Sequence, residues 1–170
     1  SIFSNISQLN LLSNEIGPIG AKALTLSTNL KKLEFLNLGY NKIEAFGIKA
    51  LADSGFMKTL KFLNLTDTNI GENGLIQFAQ NTKTPQLQVL KLSLNALTQK
   101  AMEALTQSPV LSTIRTLILN HGSLGDDGVY ALAQSPYLNQ IKELFLKSNA
   151  LTADSAIAIS KSKMFCSVLI

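Results

Sequence analysis

Apolar and polar residues alternate along this chain in one fixed order, seen most clearly at residues 33–43, LEFLNLGYNKI. The first, fourth and sixth places are apolar, the ninth is asparagine and the eleventh is aliphatic. The same order returns at 6–16, 60–70, 87–97, 114–124 and 141–151, every step being 27 residues. The sixth place is leucine each time: Leu11, Leu38, Leu65, Leu92, Leu119 and Leu146. The ninth holds Asn14, Asn41, Thr68, Asn95, Gly122 and Asn149. An internal period of this size marks a solenoid, in which each unit buries its apolar face only by stacking on its neighbours.

Each unit has two halves. The fourth to sixth places alternate, as in Phe62-Leu63-Asn64-Leu65-Thr66, which predicts a short strand with its leucines on one side. The second half changes to a helical spacing. In the second unit it predicts a helix over 45–53, with Ile43, Gly47, Ala50, Leu51 and Met57 facing inward. The matching pairs are Ala23 and Leu24, Gln77 and Phe78, Ala104 and Leu105, Ala131 and Leu132, and Ala158 and Ile159. Six places after the asparagine slot the residue is always small (Gly20, Gly47, Gly74, Ala101, Gly128, Ser155), which predicts close packing at each helix start. Thr98 and Thr152 stand where N-caps belong, ahead of helices over 99–107 and 153–161. Asp126 and Asp127 fall in the first turn of the fifth helix, favourable against its dipole. Ser108-Pro109 and Ser135-Pro136 mark helix ends.

An LxxLxLxxNxL segment followed by a helix with a small-xx-Ala-Leu face, six times over, resembles the leucine-rich repeat family. The unit length and full helix are similar to its ribonuclease-inhibitor-like subclass. The resemblance extends from Ile6 to Ile170. It implies an α/β horseshoe with a parallel sheet on the concave face and helices on the convex one. It also implies that Asn14, Asn41, Asn95 and Asn149 bond backbone groups in the turn after each strand. Thr68 can supply part of that bonding and Gly122 none, so the fifth turn is expected to be the loosest. The bend follows independently from spacing: strands sit about 4.8 Å apart and helices about 8–10 Å. Residues 1–170 are expected to form one domain of six repeats, starting near 6, 33, 60, 87, 114 and 141. Val168 stands where a seventh template would open, so a longer array is expected.

Composition adds bounds. The 46% apolar content argues against disorder, and no apolar run approaches the roughly 18 residues of a membrane span. A net charge of +4, with scattered lysines, fits solubility better than a nucleic-acid footprint. Cys166 is the one cysteine, so no internal disulfide forms, and it reads as a half-buried packing residue. The expected compartment is the cytoplasm, or a host cell if the protein is a secreted bacterial effector.

The outward columns hold no paired carboxylates, no metal-spaced cluster and no nucleophile beside a base. His121, the one histidine, reads as a surface residue at a strand end. The glycines at 71 and 74 lack the Lys-Ser/Thr of a phosphate loop. No enzymatic activity, cofactor, metal, nucleic acid or membrane is therefore expected. The expected function is protein binding on the strand face, through Phe35, Asn37, Tyr40, Phe62, Asn64, Asp67, Val89, Lys91, Ile118, His121, Phe145 and Lys147. Phe35, Phe62 and Val89 should form one apolar strip, and Ile118 with Phe145 a second; adjacent Asn10, Asn37 and Asn64 should pair their amides. An alternative is the regulatory or substrate-recognition region of a larger enzyme or bacterial effector, for example a GTPase-activating or ligase-associated one. Unpaired edge strands also predict end-to-end self-association.

Overall fold

The computed structural model describes residues 5–81 and 86–162. Strand and helix alternate without exception along them. The strands are β1 (Gln8–Asn10), β2 (Phe35–Asn37), β3 (Phe62–Asn64), β4 (Val89–Lys91), β5 (Thr116–Ile118) and β6 (Glu143–Phe145). The helices are α1 (Pro18–Thr25), α2 (Glu44–Asp53), α3 (Gly71–Ala79), α4 (Gln99–Thr106), α5 (Gly125–Ala133) and α6 (Ala153–Lys161). Two short 3-10 helices follow α2 and α4, at Gly55–Lys58 and Pro109–Thr113.

All six strands pair in parallel and in chain order. Gln8 lies opposite Phe35, Phe35 opposite Phe62, Phe62 opposite Val89, Val89 opposite Thr116 and Thr116 opposite Glu143. Every template position therefore becomes a straight column across the sheet. The helices pack only on sequential neighbours, forming a second layer behind it. This is an α/β solenoid with an open sheet, and the closer spacing of strands than helices puts the sheet on the inside of the curve.

The fourth- and sixth-place leucines are the core. Leu36, Leu63, Leu90 and Leu117 are buried, as are Leu38, Leu65, Leu92 and Leu119. Behind them Ile43, Gly47, Leu51 and Met57 are buried as expected, but the helical face also holds a column the expectation did not include. The deepest helical column is Ala21, Ile48, Leu75, Met102 and Val129, with Leu51, Phe78, Leu105 and Leu132 beside it. Ala50, Gln77, Ala104 and Ala131 stand half-out and Ala23 is exposed, whereas Ala158 is buried. The inner face is therefore centred between the Ile48 and Leu51 columns, three residues apart on one side of the helix. The small column is confirmed as a steric requirement at Gly47, where an added Cβ would lie 2.7 Å from Ile43 Cγ2 and 3.2 Å from Pro18 Cα. Thr98 and Thr152 cap α4 and α6 as expected, accepting the N–H groups of Ala101 and Asp154.

The asparagine column joins each turn to the preceding one. The Asn41 amide donates to Leu38 O at 2.9 Å and to Leu11 O of the preceding repeat at 2.9 Å, while its Oδ1 accepts the Ile16 N–H. Thr68 keeps one such bond, to Leu65 O at 2.7 Å. The fifth turn is not left open by its glycine. Asn149 of the next repeat accepts the Gly122 N–H at 2.7 Å and donates to Leu119 O at 2.9 Å. Leu97 N–H donates to the Gly122 carbonyl at 2.8 Å in place of the missing side chain. A Cβ at Gly122 would press on Leu124 and Leu97 at 2.7 and 2.8 Å, so leucines occupy the space an asparagine would take.

A second polar column stands behind the helices. Asn81, Ser108, Ser135 and Ser162 donate to Ala52 O, Ala79 O, Thr106 O and Ala133 O, tying each helix to the end of the preceding one. Ser54 occupies the same column, buried, and its hydroxyl has no hydrogen-bond partner among the described residues. Cys166, Val168 and the seventh-template position lie outside the described residues.

Candidate partner-binding face

A three-residue strand with its middle leucine inward turns its two outer residues to the open face. The third-place column is Gln8, Phe35, Phe62, Val89, Thr116 and Glu143; the fifth-place column is Asn10, Asn37, Asn64, Lys91, Ile118 and Phe145. Five inter-strand gaps of about 4.8 Å make this face roughly 24 Å long.

Its aromatic strip forms. The Phe35 and Phe62 rings stack with centroids 4.2 Å apart and planes 12° from parallel. Both are half-buried, and Val89 continues the column. Lys91 Nζ lies 5.4 Å from the Phe62 ring centroid, so a cation sits at the edge of the strip. Two strands further on, Ile118 lies opposite Phe145, which is 45% exposed.

Asn37 and Asn64 are on this face but are occupied. Asn64 Nδ2 donates to Asn37 Oδ1 at 2.8 Å, and the side-chain Oδ1 atoms of Asn64 and Asn37 accept the N–H groups of Thr66 and Gly39. Both residues are 8% exposed, so their amides brace the sheet and offer little surface to a partner. The expected amide pairing stands between Asn37 and Asn64; Asn10 bonds the Leu12 N–H instead.

Tyr40, Asp67 and His121 leave the floor of the face. Each has a left-handed backbone, with φ of 56°, 50° and 55°, as do Ser13, Leu94 and Ser148 in the same column. That conformation turns the chain away from the sheet and into the following loop. Tyr40 and Asp67 line a rim cleft of about 810 Å³ with Glu15, Lys42, Glu44 and Asn69. His121 lies two strands further along, apart from them, and is exposed. The twelve expected residues thus divide into an apolar floor, a pair of bracing amides, a rim and a basic end. The sequence reading did not include Glu15, Glu44 and Asn69; the 27-residue spacing of 15, 42 and 69 is the signal that brings three of these loops together.

Another row runs along the edge where the strands begin. Glu34, Lys61, Gln88, Arg115 and Lys142 are laddered by backbone bonds from Lys61 N–H to Glu34 O, Gln88 to Lys61, Arg115 to Gln88 and Lys142 to Arg115, each 2.8 Å. Lys61 and Glu34 form an ion pair at 2.9 Å.

Two carboxylates are perturbed, both near helix starts rather than on this face. The Ser155 hydroxyl, then the Thr152 N–H and hydroxyl, hold Asp126 down to about 2. The Thr98 hydroxyl, at 2.6 Å, and Lys100 hold Glu72 below the usual range. Both bonds join one repeat's helix start to the next and have a structural role. Among the described residues no group of three or more His, Cys, Asp or Glu is placed to hold a metal ion, and no helix is long and apolar enough to cross a membrane.

A family model described as a leucine rich repeat matches residues 4–24, 29–52, 56–79 and 110–133, more than half of the chain. No curated protein matches it.

Proposed function

Because the chain belongs to the leucine-rich repeat family, whose repeats generally serve as protein-interaction modules, we propose that its strand face binds a partner protein. The observation that carries this reading is the contrast between the two sides of the same strands. The inward fourth place is leucine in all six repeats, while the outward third place runs Gln, Phe, Phe, Val, Thr, Glu. Packing therefore dictates one side, and nothing in packing dictates the other. On that freed side stand the stacked Phe35 and Phe62 and the exposed Phe145. Exposed apolar groups of this kind on a rigid surface mark interaction sites. The six repeats act as one domain of the ribonuclease-inhibitor-like subclass, with a binding rather than catalytic role.

The test compares three forms of the chain as bait for proteins from its native source: unaltered, Phe62→Ser/Phe145→Ser on the strand face, and Phe46→Ser/Tyr130→Ser on the helix face. Melting curves first establish that all three fold. A protein retained by the first and third and lost by the second supports the reading. Loss only in the helix-face variant overturns it.

A further inference from the structure

The strand face is electrically divided. In repeats 1 to 3 its outward places carry one cation, Lys61, and two carboxylates, Glu34 and Asp67. In repeats 4 to 6 they carry Lys91, Arg115, Lys142 and Lys147 against one carboxylate, Glu143. Glu143 accepts the Thr116 hydroxyl at 2.7 Å and lies within 4.0 Å of no cation among the described residues. Lys61 has its partner, Glu34, in the adjacent repeat. Arg115 and Lys142 occupy the same row two and three strands on, past Gln88, where each has the other cation as a neighbour. Arg115 is laddered directly to Lys142 through Lys142 N–H to Arg115 O at 2.8 Å. Like charges opposite one another across a ladder are unfavourable. The fold does not require them there, since the same row holds an opposite-charge pair between β2 and β3. Both side chains are exposed and neither forms an ion pair among the described residues.

Three residues further along the same strands, past Thr116 and Glu143, lies the Ile118–Phe145 pair, one half-buried and the other 45% exposed. We infer that the strand face of repeats 4 to 6 takes an acidic, extended polypeptide segment of the partner, with carboxylates on Arg115 and Lys142 and one large apolar side chain on Ile118 and Phe145. This inference rests on the strand-face reading above and names its partner chemistry. An acidic strand would relieve the repulsion between the two cations, and desolvation beside the apolar pair would strengthen the contacts. A single-stranded nucleic acid fits less well. Stacking platforms need successive free aromatic faces, and the aromatic residues that adjoin here, Phe35 and Phe62, already stack on each other in the other half.

The experiment selects random twelve-residue peptides by display on the full chain, with parallel selections on Arg115→Glu/Lys142→Glu and on Phe62→Ser/Phe145→Ser. A single-stranded ten-nucleotide RNA is titrated alongside. The expected result is enrichment of peptides bearing Asp or Glu and one large apolar residue. Their affinity should fall about tenfold or more in the charge-reversed variant and weaken with added salt. Peptides that need Phe62 and Phe145 but carry no acidic bias would overturn this inference and leave the strand-face reading standing. Peptides insensitive to both variants would overturn both. RNA binding that charge reversal abolishes, without acidic peptides, would replace the polypeptide by a nucleic acid.

Discussion

Replacing Asn95 with alanine should reveal how much one asparagine contributes to the stacking of two repeats. Its amide donates to Leu65 O at 2.6 Å, and to Leu92 O and Ser93 O at 3.1 Å, while its Oδ1 accepts the Thr68 N–H at 3.0 Å. The residue is 3% exposed. Not all of these groups are orphaned by the change. Leu65 O keeps the Thr68 hydroxyl at 2.7 Å, and Ser93 O keeps the Asp67 N–H at 2.9 Å. The Leu92 carbonyl, the Thr68 N–H and the Ile70 N–H, whose bond to Oδ1 is long at 3.5 Å, lose their partners in a buried turn. At about 1–3 kcal/mol for each unsatisfied group, the expected loss is about 3 kcal/mol. With a urea slope of about 2–3 kcal/mol/M, the midpoint should fall by about 1–1.5 M, read by circular dichroism. Asn14→Ala is the internal control, because Asn14 is exposed and water can replace its bonds to Leu11 O and Leu12 O. Its loss should stay below about 1 kcal/mol. Asn95→Thr should fall between the two, since its hydroxyl can reach the Leu92 carbonyl as Thr68 reaches Leu65. Equal midpoints for Asn95→Ala and Asn14→Ala would refute the claim that bonding between turns, rather than within one turn, holds this column.

Gly47→Ala should destabilise by about 1–3 kcal/mol in thermal melts despite alanine's better helix propensity, because the new methyl meets Ile43 Cγ2 at 2.7 Å, Ala21 Cβ at 3.1 Å and Pro18 Cα at 3.2 Å; a gain in stability would show that the helices can move apart. Asp126 should titrate near 2 by carbon-detected NMR, and Ser155→Ala should move that midpoint upward toward 3.8. Since its folded value is depressed, the stability it contributes is present above about 4 and lost as pH falls toward about 2, so acid unfolding of Ser155→Ala should depend less on pH in that window. Phe145→Ala should change stability by less than about 0.5 kcal/mol, as expected for an exposed site, whereas Leu90→Ala, fully buried at the middle of β4, should lose about 2–5 kcal/mol; comparable losses would place Phe145 in the core and remove it from the binding face.

The fold was legible because a strict period turns sequence distance into spatial adjacency. Once every step is 27 residues, Phe35 and Phe62 must be neighbours, and the stacked rings follow. The caps at Thr98 and Thr152 were legible for a local reason, since an N-cap depends only on the few residues after it. The helical inner face was placed less well. Ala and Leu at adjacent positions both fit an inward stripe, and it is packing against the neighbouring repeats that puts Ile48 in it and Ala50 at its edge. The Ser column at 54, 108, 135 and 162 was equally periodic, but its use in tying helix ends emerges only where the preceding carbonyl lies within reach.

Sequence by itself thus determined which residues share a column, which strand columns face inward, and that repeats 4 to 6 carry the excess of cations. Tertiary structure decided what neighbours in a column do to one another. It limited the expected amide ladder to Asn37 and Asn64, and it supplied the fifth turn's missing bonds from Asn149 and the Gly122 carbonyl. Left-handed backbone at Tyr40, Asp67 and His121 turned three residues expected on the binding face into the loops that follow the strands. Period specifies adjacency, but the direction of a side chain depends on backbone torsion and on bonds made across repeats, neither of which a spacing encodes.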